Sequence, residues 1–341
     1  SIKRRMGKMS KIIKLITICV ISIPLFAQGR ISGYMFGDYY FVALHHDSTL
    51  KNVNGFWFRR IYFTYDYDIS ESFSTRLRLE FNSPGDFKTS GLLTPYVKDA
   101  YLKWKLPIFD FIFGISATPT WEVIEEHFGY RSIEKTPLDL QKMGSARDFG
   151  FALKGGLGES KKIKYHFMFG NGEGVKSEVN KQKAFYFSLG FYPGDFVIEF
   201  YGDYFDAEGH RQVYTYQGFI GFKKEKMRMG AQFATQSRLQ DPDTSINYSI
   251  GSFYFIFNTT EKTSLIFRFD KMFEKNLDGN KISYTPFSSL APSNLIIAGF
   301  DLKPYKDVHF MPNIKYVFYD EEKGIKPDPD LYLNLTFFYK F

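Results

Sequence analysis

The sequence predicts an all-β protein, a transmembrane antiparallel β-barrel of about 16 strands that occupies residues 28–341. Three observations lead to this fold class. Short segments in which apolar and polar residues alternate fill most of the chain. The connections between these segments are short and long in turn. Aromatic residues make up 19% of the chain although its mean hydropathy is −0.26, as expected for strands with one face toward lipid and one toward water.

Residues 1–27 read as a cleaved secretory signal rather than as part of the barrel. Six basic and no acidic residues lie in this range, an apolar run covers 12–26, and Pro24–Ala27 offers a cleavage site before Gln28. The rest of the chain has 38 basic against 37 acidic residues, so the net charge of +7 gives no reason to expect a nucleic-acid partner. Cys19, the single cysteine, lies inside the signal, so no disulfide or thiolate metal site is expected in the exported chain.

Sixteen candidate strands follow in order along the chain. Within 72–82, for example, Leu77 and Leu79 share one face while Arg76 and Arg78 share the other. The candidate strands lie at 31–45, 54–69, 72–82, 96–106, 109–117, 146–158, 161–171, 183–193, 195–206, 211–223, 226–238, 245–258, 261–273, 294–303, 306–320 and 330–341.

The lengths of the connections favour an outer-membrane barrel over a soluble sandwich. Even-numbered connections are tight, as at Ile69–Ser72 and Pro193–Asp195, whereas most odd-numbered ones are longer. Outer-membrane barrels have short periplasmic turns and long external loops, and a sandwich has no reason to alternate in this way. We therefore expect an integral protein of the bacterial outer membrane with both chain ends on the periplasmic side.

Charged side chains on the predicted strands identify the wall of a pore. An Arg or Lys that faces the bilayer midplane costs roughly 2–4 kcal/mol, so these charges must face a wet lumen. The residues predicted to line the pore are Arg60, Arg76, Arg78, Lys103 and Lys105.

The longest connection, residues 118–145, is the third on the external side and the candidate constriction. It holds too many apolar residues for a disordered loop, and folding into the lumen would bury them; a lid outside the barrel is the alternative. Thr120 is the expected N-cap of a short helix that Gly129 ends. The constriction residues predicted within this loop are Trp121, Glu122, Glu125, Glu126 and Arg131.

The last strand, Leu331–Phe341, alternates strictly and ends on an aromatic residue. Such an ending is typical of the strand by which outer-membrane barrels are recognised for assembly, so Tyr339 and Phe341 are the predicted assembly signal and the barrel-assembly machinery is an expected partner. An edge strand of a soluble sandwich is the alternative for this stretch taken alone.

Several motifs together resemble the phosphate-selective porin O/P family over residues 30–157. They are Gly55–Arg60, Arg76–Glu80, Val97–Leu102, Phe113–Pro119 and Arg147–Gly150. The resemblance implies a sixteen-stranded passive channel, usually a homotrimer, that sits in the bilayer and lipopolysaccharide of the outer membrane and passes small polar solutes or inorganic anions. The phosphate preference does not carry over, because loop 118–145 holds more acidic than basic residues.

The sequence therefore leaves two functions open, a diffusion porin with a possible preference for anions and a non-transporting binding or structural barrel plugged by loop 118–145. A barrel enzyme is not expected, because the histidines form no catalytic signature. His45 and His46 are adjacent at the end of a strand and would point to opposite faces, so no joint metal site is expected there. No cofactor is expected.

Overall fold

Antiparallel strands account for most of the chain in the computed structural model, which describes residues 29–207, 211–241 and 244–341. The predicted signal, residues 1–27, lies outside the described residues. The strands are β1 (Gly29–Leu44), β2 (Asn54–Asp68), β3 (Phe73–Asn82), β4 (Thr94–Lys105), β5 (Phe109–Ala117), β6 (Arg147–Leu157), β7 (Ile163–Gly170), β8 (Ala184–Phe191), β9 (Phe196–Ala207), β10 (Arg211–Lys224), β11 (Met227–Asp241), β12 (Thr244–Thr260), β13 (Thr263–Met272), β14 (Ser293–Tyr305), β15 (Val308–Tyr319) and β16 (Asp330–Lys340).

Each strand pairs antiparallel with its neighbours in sequence, and β1 pairs with β16 to close the barrel. The predicted sixteen-stranded fold class is thus confirmed. Two short helices, α1 (Glu122–Phe128) and α2 (Pro137–Leu140), lie between β5 and β6. No helix among the described residues has the length and apolar character needed to cross a membrane.

The alternation read from the sequence is visible in the burial of β16. Leu333 and Leu335 are 40% and 44% exposed on the outer face, whereas Tyr332 and Thr336 are buried on the inner face. The same division between an apolar outer face and a buried inner face recurs in β13, where Leu265 is exposed. The outside of the barrel is therefore apolar, and its polar side chains point inward.

Connections of two classes separate the two ends of the barrel. At one end, here the short-turn end, strands are joined by tight turns such as 69–72, 106–108 and 306–307. At the other, the long-loop end, residues 118–146 and 273–292 form the two longest connections. The sequence assigns eight connections to that end. Those after β9 and β11 span few residues, 208–210 and 242–243, and these residues lie outside the described ranges.

Two β-bulges, one between β1 and β2 and one between β3 and β4, change which side chains face the inside of the barrel. Where β1 meets β2, Phe36 lies opposite Arg60 and Gly37 opposite Phe58, so Arg59 is an extra residue. A bulge lets two successive side chains face the same side, which strict alternation forbids. Arg59 is accordingly buried, with its Nε 2.9 Å from a carboxylate oxygen of Asp38.

The second bulge lies where β3 meets β4. Arg78 is opposite Asp99 and Leu79 is opposite Val97, which makes Lys98 the extra residue. Strict alternation back from the buried Asp99 would direct Lys98 to the lipid side. Instead its Nζ lies inside the barrel, 3.0 Å from Glu80.

Candidate channel constriction

A cavity of about 860 Å³ is lined both by strand side chains and by residues of loop 118–146. Four basic side chains from β2, β3, β4 and β6 line it, and we call this group the basic wall. Its members are Arg60, Arg78, Lys98 and Arg147.

Two buried carboxylates hold the basic wall in place. Glu80 is fully buried and forms ion pairs with Arg60, whose Nε is 2.6 Å away, and with Lys98 at 3.0 Å. The two cationic side chains retain 13% and 16% exposure, so they lie between the carboxylate and the cavity. One acidic charge thus supports two basic ones.

Asp99 repeats the arrangement one step along the wall. It is 2% exposed, it accepts a hydrogen bond from Arg147 Nε, and it lies 3.4 Å from Arg78 Nη1. Both guanidinium groups are again 18% exposed, on the cavity side of the carboxylate. Together, four cations and two carboxylates leave the basic wall with an excess of two positive charges.

The loop contributes mostly acidic groups to the opposite side of the cavity. Arg131 lies between Glu125 and Asp139, at 3.4 and 3.3 Å. Enclosure by protein raises the pKa of Glu125 above its ordinary value, although its side chain is still 37% exposed to the cavity. Glu126 also lines the cavity. Acidic loop groups therefore line the same cavity as the basic wall.

Glu122 has a different environment from Glu125. Its two carboxylate oxygens accept the Lys154 ammonium at 2.8 Å, and His166 Nδ1 is 3.3 Å away. Burial alone would raise the pKa of Glu122, but the hydrogen bond with His166 and the charge of Lys154 lower it to about 2. Glu122 is therefore ionised at every physiological pH.

Side chains from well-separated strands hold loop 118–146 by its backbone. Gln217 of β10 donates to the carbonyl of Thr120 at 3.2 Å, and Gln236 of β11 donates to that of Met143 at 3.1 Å. Further contacts come from β2 and β13. They are Arg59 to the carbonyl of Ile133 at 3.0 Å and Arg268 to that of Lys135 at 2.5 Å.

A buried ion pair adds a fifth attachment, from β15. Lys315 Nζ lies 2.7 Å from Glu134, and both side chains are 1% exposed. The hydroxyl of Thr285, in connection 273–292, donates to the same carboxylate at 2.9 Å. Burial would raise the pKa of Glu134, but the nearby charges of Lys315 and Arg59 hold it well below its usual range.

The short helix in the loop begins one residue later than predicted. Thr120 is not its N-cap: Trp121 occupies that position and makes no side-chain capping bond. Thr120 Oγ1 instead donates to the Ser145 carbonyl at 3.2 Å and lies 2.9 Å from the hydroxyl of Tyr201 on β9. These contacts leave it unable to cap the helix. Gly129 ends the helix at φ +69°, a left-handed conformation that glycine adopts without strain.

The cavity unites some of the residues predicted from sequence. Arg60 and Arg78 line it, and so do the five predicted loop residues, Trp121, Glu122, Glu125, Glu126 and Arg131. The other three residues predicted to line the pore are not among the residues that line this cavity. Arg76 pairs with Asp66 at 2.7 Å, Lys103 lies 3.6 Å from Asp110, and Lys105 is exposed at the end of β4. Their part in the passage stays a prediction.

Sequence reasoning missed two members of the basic wall, Lys98 and Arg147, and the side chains that hold the loop, Arg59 among them. Lys98 and Arg59 each stand next to another charge, Asp99 and Arg60, inside a membrane strand. Such a pair of adjacent charges is itself a signal, since only a bulge keeps both from lipid. Arg147 begins β6 at the exit of the loop, a position that alternation alone does not assign to the cavity.

The predicted assembly residues lie where the barrel closes. The Phe341 N–H donates to the Gly33 carbonyl at 2.9 Å, and the Gly33 N–H donates back at 3.0 Å. The Tyr339 and Phe341 side chains are 39% and 56% exposed on the outer face. Their role as an assembly signal stays a prediction.

Solved outer-membrane channels share this architecture. An anion-selective porin from Comamonas acidovorans is similar with a TM-score of 0.68 at 10% identity, covering 92% of this chain and 99% of its own. OmpT of Vibrio cholerae gives 0.65 at 13% identity, covering 92% and 97%. The outer-membrane channel DcaP of Acinetobacter baumannii gives 0.64 at 12%, also covering 92% and 97%.

These likenesses establish a class of protein by its fold: the chain has the closed barrel of outer-membrane porins. Searches of protein-family models and of curated proteins give no match. The resemblance of residues 30–157 to the phosphate-selective family therefore stays a prediction.

Proposed function

We propose that this protein is an outer-membrane porin, a passive channel for small hydrophilic solutes or ions that prefers anions. One observation carries the preference: the basic wall places four cations on two buried carboxylates, with the cationic groups toward the cavity. A surplus of fixed positive charge in a narrow, protein-walled passage raises the local concentration of anions. The porin fold of the barrel and the anion-selective porin among its structural neighbours support this proposal.

In this proposal loop 118–146 folds into the lumen and forms the constriction. Its support is that five strands, β2, β10, β11, β13 and β15, hold the loop at once. A segment that touches such distant parts of a closed wall lies across the bore. The passage then runs between the basic wall and the acidic groups of the loop, and the field between them orients polar solutes.

The location follows from the same fold. The short-turn end is periplasmic and the long-loop end is external, as in outer-membrane barrels generally. Export through a cleaved signal at residues 1–27 and assembly as a homotrimer complete the proposal. The trimer is supported by a structural neighbour described as the trimer form of Vibrio cholerae OmpT. We assign no preference for phosphate, because acidic side chains of the loop share the cavity with the basic wall.

The experiment is single-channel recording from the purified barrel in a planar bilayer, with the reversal potential measured in a potassium chloride gradient. We expect stepwise conductance and a reversal potential of the anion-selective sign. Arg78→Gln removes a charge of the basic wall and is expected to reduce the anion preference. Arg76→Gln is the matched control, since Arg76 lies two residues away on β3 and outside the cavity.

Two outcomes would count against the proposal in different ways. A folded, heat-modifiable barrel that gives no conductance steps would support the alternative, a non-transporting barrel plugged by loop 118–146. If the barrel conducts but Arg78→Gln and Arg76→Gln shift the reversal potential equally, the protein is still a porin. The basic wall would then not be the element that sets its selectivity.

A further inference from the structure

Three potential metal ligands meet where the barrel closes at its long-loop end. The last pair between β1 and β16 is Leu44 with Leu331, and the next residues beyond it are His45 and His46 on one side and Asp330 on the other. One ligand atom from each of these three residues lies within 4.8 Å of the others. The cluster therefore spans the seam that joins the first strand to the last.

The expectation that the two histidines point to opposite faces is wrong. β1 ends at Leu44, so the alternation of a strand does not extend to His45 and His46. Their rings stack with centroids 4.3 Å apart and planes inclined by 26°. His46 Nδ1 lies 2.8 Å from Asp330 Oδ1, and His45 Nδ1 lies 3.9 Å from the same oxygen.

A second observation comes from the hydrogen bonds around the cluster. His45 Nε2 is buried and has no hydrogen-bond partner in the part of the chain that the structure describes, although the His45 side chain is only 1% exposed. A buried polar atom without a partner is costly, and a bound ion is one of the ways in which native proteins satisfy it. His45 Nδ1 accepts the Asp47 backbone N–H at 2.9 Å, so Nε2 is the nitrogen that remains for an ion.

The carboxylate is already oriented by groups that would not bind the ion themselves. Asp330 Oδ1 accepts the His46 backbone N–H at 2.7 Å, and Oδ2 accepts the Tyr319 hydroxyl at 2.5 Å. The Tyr319 oxygen in turn accepts the backbone N–H of Ser288 at 2.9 Å. Outer partners of this kind fix the orientation of metal-binding carboxylates.

We propose that His45, His46 and Asp330 bind a divalent transition-metal ion of the zinc, nickel and copper class. Two imidazole nitrogens and one carboxylate suit these ions better than Ca²⁺ or Mg²⁺, which prefer oxygen ligands throughout. Bond lengths of about 2.0–2.2 Å place tetrahedral ligand atoms about 3.4 Å apart, and the candidate ligand atoms of the three residues already lie within 4.8 Å of one another. The His46 side chain is 17% exposed, so an ion can reach this side of the cluster from solvent.

Binding would fasten the first strand to the last. His46 and Asp330 are 284 positions apart in sequence, so the unfolded chain has no preformed site and the ion favours the closed barrel. At a metal concentration one hundred times the dissociation constant, the ratio of folded to unfolded protein rises roughly 100-fold. Water would fill the remaining coordination position.

The test is isothermal titration of the chelator-treated, detergent-solubilised barrel with ZnCl2, and with MgCl2 as the comparison ion. We expect one Zn²⁺ per chain, no Mg²⁺ uptake, and a higher temperature for the heat-induced mobility shift in gels when Zn²⁺ is present. His46→Ala is expected to abolish Zn²⁺ binding and the shift together. His309→Ala is the matched control, because His309 Nδ1 also pairs with an aspartate, Asp301 at 2.9 Å, but has no second histidine beside it.

Three results would overturn the proposal. They are the absence of Zn²⁺ uptake by the wild-type barrel, uptake that His46→Ala retains, and uptake that His309→Ala abolishes. Asp330 is buried, so Asp330→Asn risks misfolding. His46→Gln therefore serves as the second variant, because it keeps a polar side chain of similar size but offers no imidazole. X-ray absorption on the Zn²⁺-loaded barrel should show two imidazole ligands and supplies a readout that does not depend on stability.

Discussion

The two sides of the lumen use different side chains for different tasks. The basic wall faces open space with Arg60, Arg78, Lys98 and Arg147, each tied to a carboxylate behind it. The opposite side, which we call the docking wall, meets loop 118–146 directly. Its members are Gln217, Gln236, Arg268 and Lys315.

The difference follows from what each wall must satisfy. Loop carbonyls pressed against the barrel need hydrogen-bond donors, and the amides of Gln217 and Gln236 supply them without the cost of burying a free charge. These amides are also linked to their neighbours: Gln232 donates to Gln217 at 2.7 Å, and Gln236 donates to Thr215 at 2.8 Å. A charged side chain that faces water does not have to satisfy a loop carbonyl. Amide side chains therefore mark the part of the wall that contacts the loop, and charged side chains mark the part that faces the cavity.

The largest expected effect lies on the docking wall, at its buried ion pair. Lys315→Met leaves Glu134 buried without its cation, which should destabilise the barrel by about 3–5 kcal/mol. Urea unfolding of the purified barrel measures this loss. Lys303→Met is the control, since Lys303 is 30% exposed and lies 3.5 Å from Asp301, and it should change stability by about 1 kcal/mol or less. Equal losses of unfolding free energy in the two variants would show that the buried ion pair of the docking wall is no more important for stability than an exposed one.

A smaller effect is expected from the amides of the docking wall. Gln236→Leu leaves the Met143 carbonyl and the Thr215 hydroxyl without their donor, at a cost of about 1–3 kcal/mol. The loosened loop should also make the open-channel current noisier in single-channel recordings. Gln212→Leu is the control, because Gln212 is half-buried on β10 and accepts from the Tyr214 hydroxyl rather than donating to the loop. Quiet currents and unchanged unfolding in Gln236→Leu would show that the loop does not depend on this bond.

On the basic wall the effect should appear in selectivity rather than in stability. Lys98→Gln removes one of the two surplus positive charges but leaves Glu80 paired with Arg60, so stability should change by about 1 kcal/mol or less. The reversal potential in a salt gradient should move toward the cation-selective sign. Arg76→Gln is the comparison, because Arg76 pairs with Asp66 and lies outside the cavity. An unchanged reversal potential in Lys98→Gln would place the selectivity element elsewhere.

The smallest expected effect is a dependence of selectivity on pH. The pKa of Glu125 is raised by burial, so this carboxylate takes up a proton at a higher pH than an ordinary glutamate. Protonation removes a negative charge from the loop side, and the anion preference should therefore increase as pH falls through that pKa. Reversal potentials measured between neutral and mildly acidic pH test this.

Two variants separate Glu125 from its neighbour in that measurement. Glu125→Gln should remove most of the pH dependence, whereas Glu122→Gln should leave it in place because the pKa of Glu122 is about 2. A pH dependence that survives in Glu125→Gln would have to come from another carboxylate.

Much of the fold could be predicted because a barrel strand has a simple period. Alternation and the parity of the connections were sufficient to place all sixteen strands within a few residues, as β5 at Phe109–Ala117 illustrates. The bulges at Arg59 and Lys98 were not predictable from that period, since each inserts one residue that breaks it. The cluster of His45 with Asp330 was missed for a related reason, because the rule for strands was applied one residue past the strand.

The candidate site was predicted only in part because it depends on contacts between distant segments. The loop residues that face the cavity belong to one continuous stretch, and an unusually long connection was enough to identify them. Which wall they face depends on where Gln217 and Gln236 provide donors, and sequence spacing does not reveal this. The difference between Arg78, on the cavity, and Arg76, outside it, likewise depends on depth along the bore rather than on the face of the strand.

The bulge at Lys98 has a consequence for how such channels diversify. Lys98 has no partner across the ladder, so its deletion would bring Val97 and Asp99 into direct succession opposite Leu79 and Arg78. Every other residue of β3 and β4 would keep its partner and its face. An insertion or deletion of one codon at this position therefore adds or removes a charge in the bore while the membrane-facing surface stays the same, and a barrel lineage can retune its permeability without redesigning its wall.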